Sequence, residues 1–174
     1  MSGDRFVREA MAGNLRAVRR LIAGGTNVDS YNRCGVTALM IACFWGRSSV
    51  VRFLLKSGAD VGLIGALSDC TALTYACLSG NPELVALLLE RQAPVNSTDK
   101  SGKTALMAAA AIGDAEVVKM LLNYGADVNH RDRLGTTALD HAQQGGHRDV
   151  VNLLVANDTG RAPSDASIRE VQWL

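Results

Sequence analysis

Apolar residues recur along this chain in one signature: Val50, Val51, Leu54 and Leu55, then Leu84, Val85, Leu88 and Leu89, then Val117, Val118, Leu121 and Leu122, then Val150, Val151, Leu153 and Leu154. Such clusters line one stripe of a short amphipathic helix. A second apolar segment precedes each of them, opened by Thr-Ala-Leu at Thr37, Thr71, Thr104 and Thr137. Five residues after each Thr comes Ala (Ala42, Ala76, Ala109, Ala142), and nine after it comes Gly (Gly46, Gly80, Gly113, Gly146). The Thr hydroxyl can accept an orphan N–H of a first turn, so a helix is predicted from Ala38 to about Trp45. Gly46 then supplies the left-handed residue that ends it. A second helix is predicted from Ser48 to about Lys56, ending at Gly58. About ten further residues containing Asp, Asn and Gly turn the chain back to the next Thr.

The four Thr-Ala-Leu copies are 34, 33 and 33 residues apart. A fixed period of this size predicts a stacked array in which each unit buries its apolar face only against its neighbours. An opening unit lacks Thr-Ala-Leu but keeps Gly13, Leu15, Val18, Leu21, Ile22, Gly25 and Val28 in register. This makes five units, at about 4–31, 32–64, 65–98, 99–131 and 132–157, in one repeat domain over 1–157. Arg16, Arg19 and Arg20 at one end, and Gln143, Gln144, His147, Arg148, Asp149 and Asn152 at the other, suit solvent-facing terminal units. From residue 158 the period stops, and 158–174 is a tail. Its Asp158 to Asp165 stretch reads as a linker. Ser167 and Glu170 then have capping-box spacing, with Ile168, Val171 and Trp173 or Leu174 apolar, so the segment is either a short helix covering the last repeat, a disordered end, or a linear motif ending in Trp173 and Leu174.

Composition narrows the function. Of the 174 residues 48% are apolar and 20% charged, and the formal charge of +1 argues against a nucleic-acid or anionic-membrane partner. No apolar run reaches the roughly 18 residues of a membrane span. The N-terminus lacks the form of a secretory signal. Cys34, Cys43, Cys70 and Cys77 have no paired metal spacing. Cys43 and Cys77 occupy one repeat position on helices about 8–10 Å apart, too far for a disulfide. A reducing compartment, cytosol or nucleus, is expected.

Thr-Ala-Leu-x-x-Ala, the Gly after it, Val-Val-x-x-Leu-Leu and Gly125-Ala126-Asp127-Val128-Asn129 together resemble the ankyrin repeat, over about residues 4–157. Ala stands where the family has Pro after each Thr, and Met40, Thr74, Met107 or Asp140 stands at its usual His. The resemblance implies an all-α solenoid of about five helix-turn-helix units with β-hairpin fingers. It also implies protein binding through finger tips and inner helices, no cofactor and no catalysis. Asn129 resembles a finger asparagine that is hydroxylated in some members, and Asn96 is its equivalent; a structural asparagine closing its own turn is the simpler reading.

Helix geometry locates the inner surface. With Leu39 at 0°, Ala42, Cys43 and Gly46 fall within about 60° and form the stacking face, whereas Ile41, Phe44 and Trp45 fall near 200°, 140° and 240°. Their equivalents are Tyr75, Leu78 and Ser79, then Ala108, Ala111 and Ile112, then His141, Gln144 and Gly145. The strip is apolar or aromatic until the fifth unit. Phe44 and Trp45 are its sharpest feature, as packing residues or as an aromatic anchor for a partner. Finger residues Tyr31, Arg33, Val36 and Lys103 add a mildly basic rim. The third unit carries one inserted finger residue, with Asp69 where other fingers have Gly, and Ala66 or Leu67 at the loop-carboxylate position. Its Leu63, Ile64 and Leu67 either cover neighbouring fingers or join the binding surface.

The candidate site is therefore Tyr31, Arg33, Val36, Ile41, Phe44, Trp45, Ile64, Leu67, Tyr75, Leu78, Lys103 and Ile112. His130, His141 and His147 pair with no nucleophile at a motif spacing, and Asp140 reads as a first-turn carboxylate three after Thr137. The expected function is a non-catalytic, monomeric interaction module. Its partner would be a protein or peptide segment with hydrophobic anchors and some acidic residues. Two alternatives use the same scaffold: a regulatory subunit that inhibits an enzyme or transcription factor by covering it, and an adaptor that oligomerises through its tail.

Overall fold

The computed structural model describes residues 2–158. They form ten helices in pairs: α1 (Ser2–Met11) with α2 (Leu15–Ala23), α3 (Ala38–Phe44) with α4 (Ser48–Lys56), α5 (Ala72–Leu78) with α6 (Pro82–Glu90), α7 (Ala105–Ile112) with α8 (Ala115–Asn123), and α9 (Ala138–Gln144) with α10 (Arg148–Asn157). First helices stack on first helices along the array, α1 on α3, α3 on α5, α5 on α7 and α7 on α9, and second helices form a parallel row behind them. None of these helices is long and apolar enough to cross a membrane.

Each unit from the second onward starts with the predicted cap. Thr37, Thr71, Thr104 and Thr137 accept N–H bonds at 3.2–3.3 Å from Met40, Thr74, Met107 and Asp140. Each of these Thr residues has extended backbone, as an N-cap requires. The first helix of the second unit stops at Phe44, one residue before the expected end, because Trp45 already has φ −89° and ψ 8° as its C-cap. Gly46 comes next at φ +62°. Leu39, Ala42 and Cys43 are buried, as are Leu73, Ala76 and Cys77, and Leu106 and Ala109, so the stacking face is the one helix geometry assigns. Small Ala and Cys side chains let the first helices approach closely. The larger Val and Leu pairs of the second helices fill the space between the two rows.

The fingers differ from the expectation of regular hairpins. Among the described residues they make only isolated antiparallel bridges, Ile64 with Thr71 and Thr98 with Thr104. Backbone bonds close the turns, Asn32, Asp99 and Asp132 N–H donating to Val36, Lys103 and Thr136 O at 2.9–3.0 Å, and side chains reinforce them. Asn32, Asp99 and Asp132 each accept two backbone N–H groups through one oxygen, at 2.8–3.0 Å: Cys34 and Val36, Ser101 and Lys103, Leu134 and Thr136. Successive fingers are then linked through the backbone, with Ala66, Lys100 and Arg133 donating to the carbonyls of Gly35, Ser68 and Ser101.

The third finger corrects the register read from sequence. Gly65 N–H donates to Cys70 O and Asp69 N–H to Gly65 O, the pattern that Asn32, Asp99 and Asp132 make in their own fingers. The loop-carboxylate position is therefore Gly65, not Ala66 or Leu67. A Cβ there would lie 2.8 Å from Ser68 Oγ. Ser68 Oγ takes over the acceptor role, receiving Cys70 N–H at 3.3 Å. The insertion lies between Gly65 and Asp69, and Asp69 keeps the turn by adopting φ +58°. Gln92 does the same at φ +60°, where Gly25, Gly58 and Gly125 stand in other units.

Candidate functional site

The outward residues of α3, α5 and α7 stay open to solvent because the stacking face consumes the opposite side of each helix. Phe44 and Trp45 are 40% and 50% exposed, and Leu78 and Ile112 are each 43% exposed. Ring packing orders the first of these. Phe44 meets Trp45 edge-on with centroids 5.7 Å apart, and meets Tyr75 edge-on at 5.8 Å. Tyr75, half-buried, places its hydroxyl 3.3 Å from Ser68 Oγ and so ties α5 to the third finger. The aromatic row is thus ordered by contacts within the chain itself.

Along α5 the row continues from Tyr75 to Leu78, which lies across a recess of about 200 Å³ from Ile112. Met107, Ala108 and Ala111 supply its apolar floor, with Lys103, Asp99 and His141 at its edges. Cys70 also lines it, and partial burial pushes that thiol up, so it is held protonated rather than as a nucleophilic thiolate. Burial raises Cys43 well above the thiol range as well, and takes Cys77 up to about 12. Both are stacking residues.

Other predicted residues divide between exposed and engaged positions. Ile64 and Leu67 are 50% and 62% exposed on the third finger, whereas Leu63 packs against the core. Tyr31 is exposed, and its hydroxyl donates to Ile64 O at 3.0 Å, bracing the second finger against the third. Ile41 and Val36 are half-buried against the core and offer only an edge. Arg33 is paired with Asp4 at 3.2 Å, so part of its charge is answered within the chain. The Asp99 and Asp132 carboxylates turn inward onto their own loops, which leaves Lys100, Lys103, Arg131 and Arg133 as the outward charges there.

Asp140 forms the reciprocal cap expected of it, accepting Thr137 N–H at 2.8 Å and Thr137 Oγ1–H at 2.7 Å, and those bonds hold its carboxyl below the usual range. One pairing is not legible in the sequence. His141 Nε2 lies 3.5 Å from Asp132 Oδ2, nine residues away, with the carboxylate almost fully buried. The N–H groups of Thr136 and Leu134, and then His141, keep Asp132 below the usual carboxylate range. Asp132 can be read from sequence as the loop carboxylate, but which side chain it faces depends on how α9 packs. Asn129 donates its side-chain amide to Asp158 Oδ1 at 3.2 Å, and Asn96 bridges to Gly125 O and Asp127 N–H. Asn96 thereby fastens the third unit to the fourth, and Asn129 fastens the fourth to the end of the fifth.

A family model of ankyrin repeats, three copies long, matches this chain twice, over residues 7–99 and 73–164. The chain belongs to the ankyrin repeat family. Ankyrin repeats are generally protein–protein interaction modules, and the repeat itself is a non-catalytic fold. Among curated proteins the chain is similar to the E3 ubiquitin-protein ligase XBAT33 of Arabidopsis thaliana, 35% identical over 53% of this chain and 19% of that protein. It is similar also to the ankyrin repeat and KH domain-containing protein mask of Drosophila melanogaster, 38% identical over 53% of this chain and 2% of that protein. A third relative is the ankyrin repeat, SAM and basic leucine zipper domain-containing protein 1 of Mus musculus, 34% identical over 54% of this chain and 20% of that protein. The chain therefore spans a fifth or less of these relatives.

Proposed function

We propose that this ankyrin array binds one partner protein along the row Trp45, Phe44, Tyr75, Leu78 and Ile112, with Ile64, Leu67 and Tyr31 extending the contact at the finger tips. One observation carries the reading: large apolar side chains stand about half exposed in an unbroken row across three successive units, on the side that stacking leaves free. Scattered exposed apolar residues need no explanation, but a contiguous row does. The rings supply rigid contact area, and the Leu78–Ile112 recess suits an aliphatic side chain. Lys103 at the edge of the recess, with Lys100 and Arg133 around the adjoining hollow, favours acidic residues flanking that anchor. The partner class is thus a segment with hydrophobic anchors and neighbouring carboxylates.

A photo-crosslinking residue at position 45 is expected to capture a partner that the same residue at Lys119, on an exposed face of α8, does not. The purified partner should then bind Phe44→Ala/Trp45→Ala at least about tenfold more weakly, a loss of about 1.4 kcal/mol. Equal binding by a variant that circular dichroism shows to be folded would remove the groove as the site.

A further inference from the structure

A formal charge near zero hides a division along the array. Residues 1–56, which end with α4, carry nine Lys or Arg against three Asp or Glu, and residues 57–158 carry seven against twelve. Residues 159–174, including the short helix expected at Ser167 to Leu174, lie outside the described residues and carry two of each. The division is sharpest at the second position of each second helix, where Arg16, Ser49, Glu83, Glu116 and Asp149 succeed one another, all exposed. Neither α2 nor α4 holds an acidic residue, and their Arg16, Arg19, Arg20, Arg52 and Lys56 are all exposed. Arg20 stands where the later units have half-buried Phe53, Leu87, Met120 and Leu153.

Little within the chain answers these cations. Asp4 pairs with Arg33, Glu9 accepts the Asn14 side-chain amide at 2.9 Å, and Asp29 accepts Asp60 N–H at 3.0 Å. The three carboxylates of the first two units are thus engaged elsewhere. Arg52 reaches Glu83 of the third unit. Arg19 lies over the Phe53 ring, 5.2 Å from its centroid, and so joins α2 to α4 as one surface. Among the described residues Arg16, Arg20 and Lys56 pair with no carboxylate. On α2, Leu15, Arg16 and Arg19 wall an open hollow of about 380 Å³.

We propose that the outer face of α2 and α4 binds a short acidic segment of a partner protein, on the row of helices behind the concave groove. Arginine forks take a carboxylate by both oxygens, and Leu15 offers an apolar contact beside them. The extent of the face decides among anionic partners. Two helices packed side by side cover only about 20 Å. Beyond them Glu83, Glu90, Glu116 and Asp149 stand exposed on the same row. A nucleic acid or an anionic membrane, charged along its whole length, would be repelled there, whereas a short acidic segment ends first. This surface shares no residue with the aromatic row, so either reading can fail without the other.

Fluorescence anisotropy of a labelled peptide of three Glu-Glu-Leu repeats, with the full chain at about 50 mM salt, tests this. The native chain should bind it, and Arg16→Glu/Arg20→Glu should weaken binding at least about tenfold. Lys119→Glu/Arg148→Glu, which changes the net charge equally in the acidic half, should stay within about twofold of native, as should Phe44→Ala/Trp45→Ala. Circular dichroism establishes that each variant is folded. No binding by the native chain would overturn the proposal, and so would equal losses in the two charge-reversed variants. Loss in the aromatic variant would move the peptide to the groove and overturn it too. Tighter binding of an oligouridylate than of the peptide would make the partner a nucleic acid instead. A mass that rises with concentration in the native chain but not in Arg16→Glu/Arg20→Glu would assign the face to a second copy and overturn it equally.

Discussion

Gly80 and Gly113 hold the same place in successive units, both with positive φ, yet their surroundings differ. A Cβ on Gly80 would meet nothing within 4 Å, whereas one on Gly113 would lie 2.3 Å from His147 Nδ1. The His147 ring cannot swing away freely, because its Nε2 bonds Ala111 O at 3.1 Å; since a carbonyl only accepts, that nitrogen carries the proton. Gly80→Ala should therefore cost about 1 kcal/mol, the backbone penalty alone. Gly113→Ala should add a steric cost of about 1–3 kcal/mol. Urea unfolding midpoints of the two variants would separate these effects, and equal losses would show that His147 gives way.

Caps decide where the helices begin, and two of them have been exchanged for links between units. Asn14, Asn81 and Asp114 cap α2, α6 and α8, but Arg47 and His147 make no side-chain cap on α4 and α10. Arg47 instead donates Nε–H to Met11 O at 2.9 Å, and His147 reaches Ala111 O, so each fastens its unit to the preceding one. In the fifth unit two carboxylates carry the local order, Asp140 at the α9 cap and Asp132 in the finger. Both have pKa values lowered in the folded state, so the stability they contribute is present above the unfolded value near 4 and is lost as pH falls through the folded values. Hydrogen exchange should accordingly show α9 and α10 loosening first as pH drops below about 4. Asp140→Asn, which keeps the shape and removes the charge, should flatten that dependence, and an unchanged profile would argue that these carboxylates are not responsible. At neutral pH, Asp140→Ala should cost about 1 kcal/mol of cap energy.

Across the whole array, burial separates residues that hold the stack from residues available to a partner. Leu106, 1% exposed between the fourth unit and its neighbours, should cost about 2–5 kcal/mol when changed to Ala. Phe44→Ala and Trp45→Ala, made singly, should each cost less, about 1 kcal/mol, because both rings are already half in water. A denaturation series that ranked the aromatic pair with Leu106 would make those rings packing residues. The sequence alone determined the number of units, the helix pairs, the capping threonines and the side of each first helix that stacks. All of these come from short-range rules repeated every 33 or 34 residues, and repetition averages out local exceptions. Tertiary structure decided what depends on contacts between units. It set the register of the third finger, where buried Gly65 rather than Ala66 or Leu67 takes the turn position, the Asp132–His141 pairing, and the engagement of Arg33 by Asp4. It also decided which apolar groups remain open. Leu63 and Ile64 are neighbours in sequence, yet one packs on the core and the other faces water, because their fate depends on where the adjacent finger lies and no local period encodes that distance.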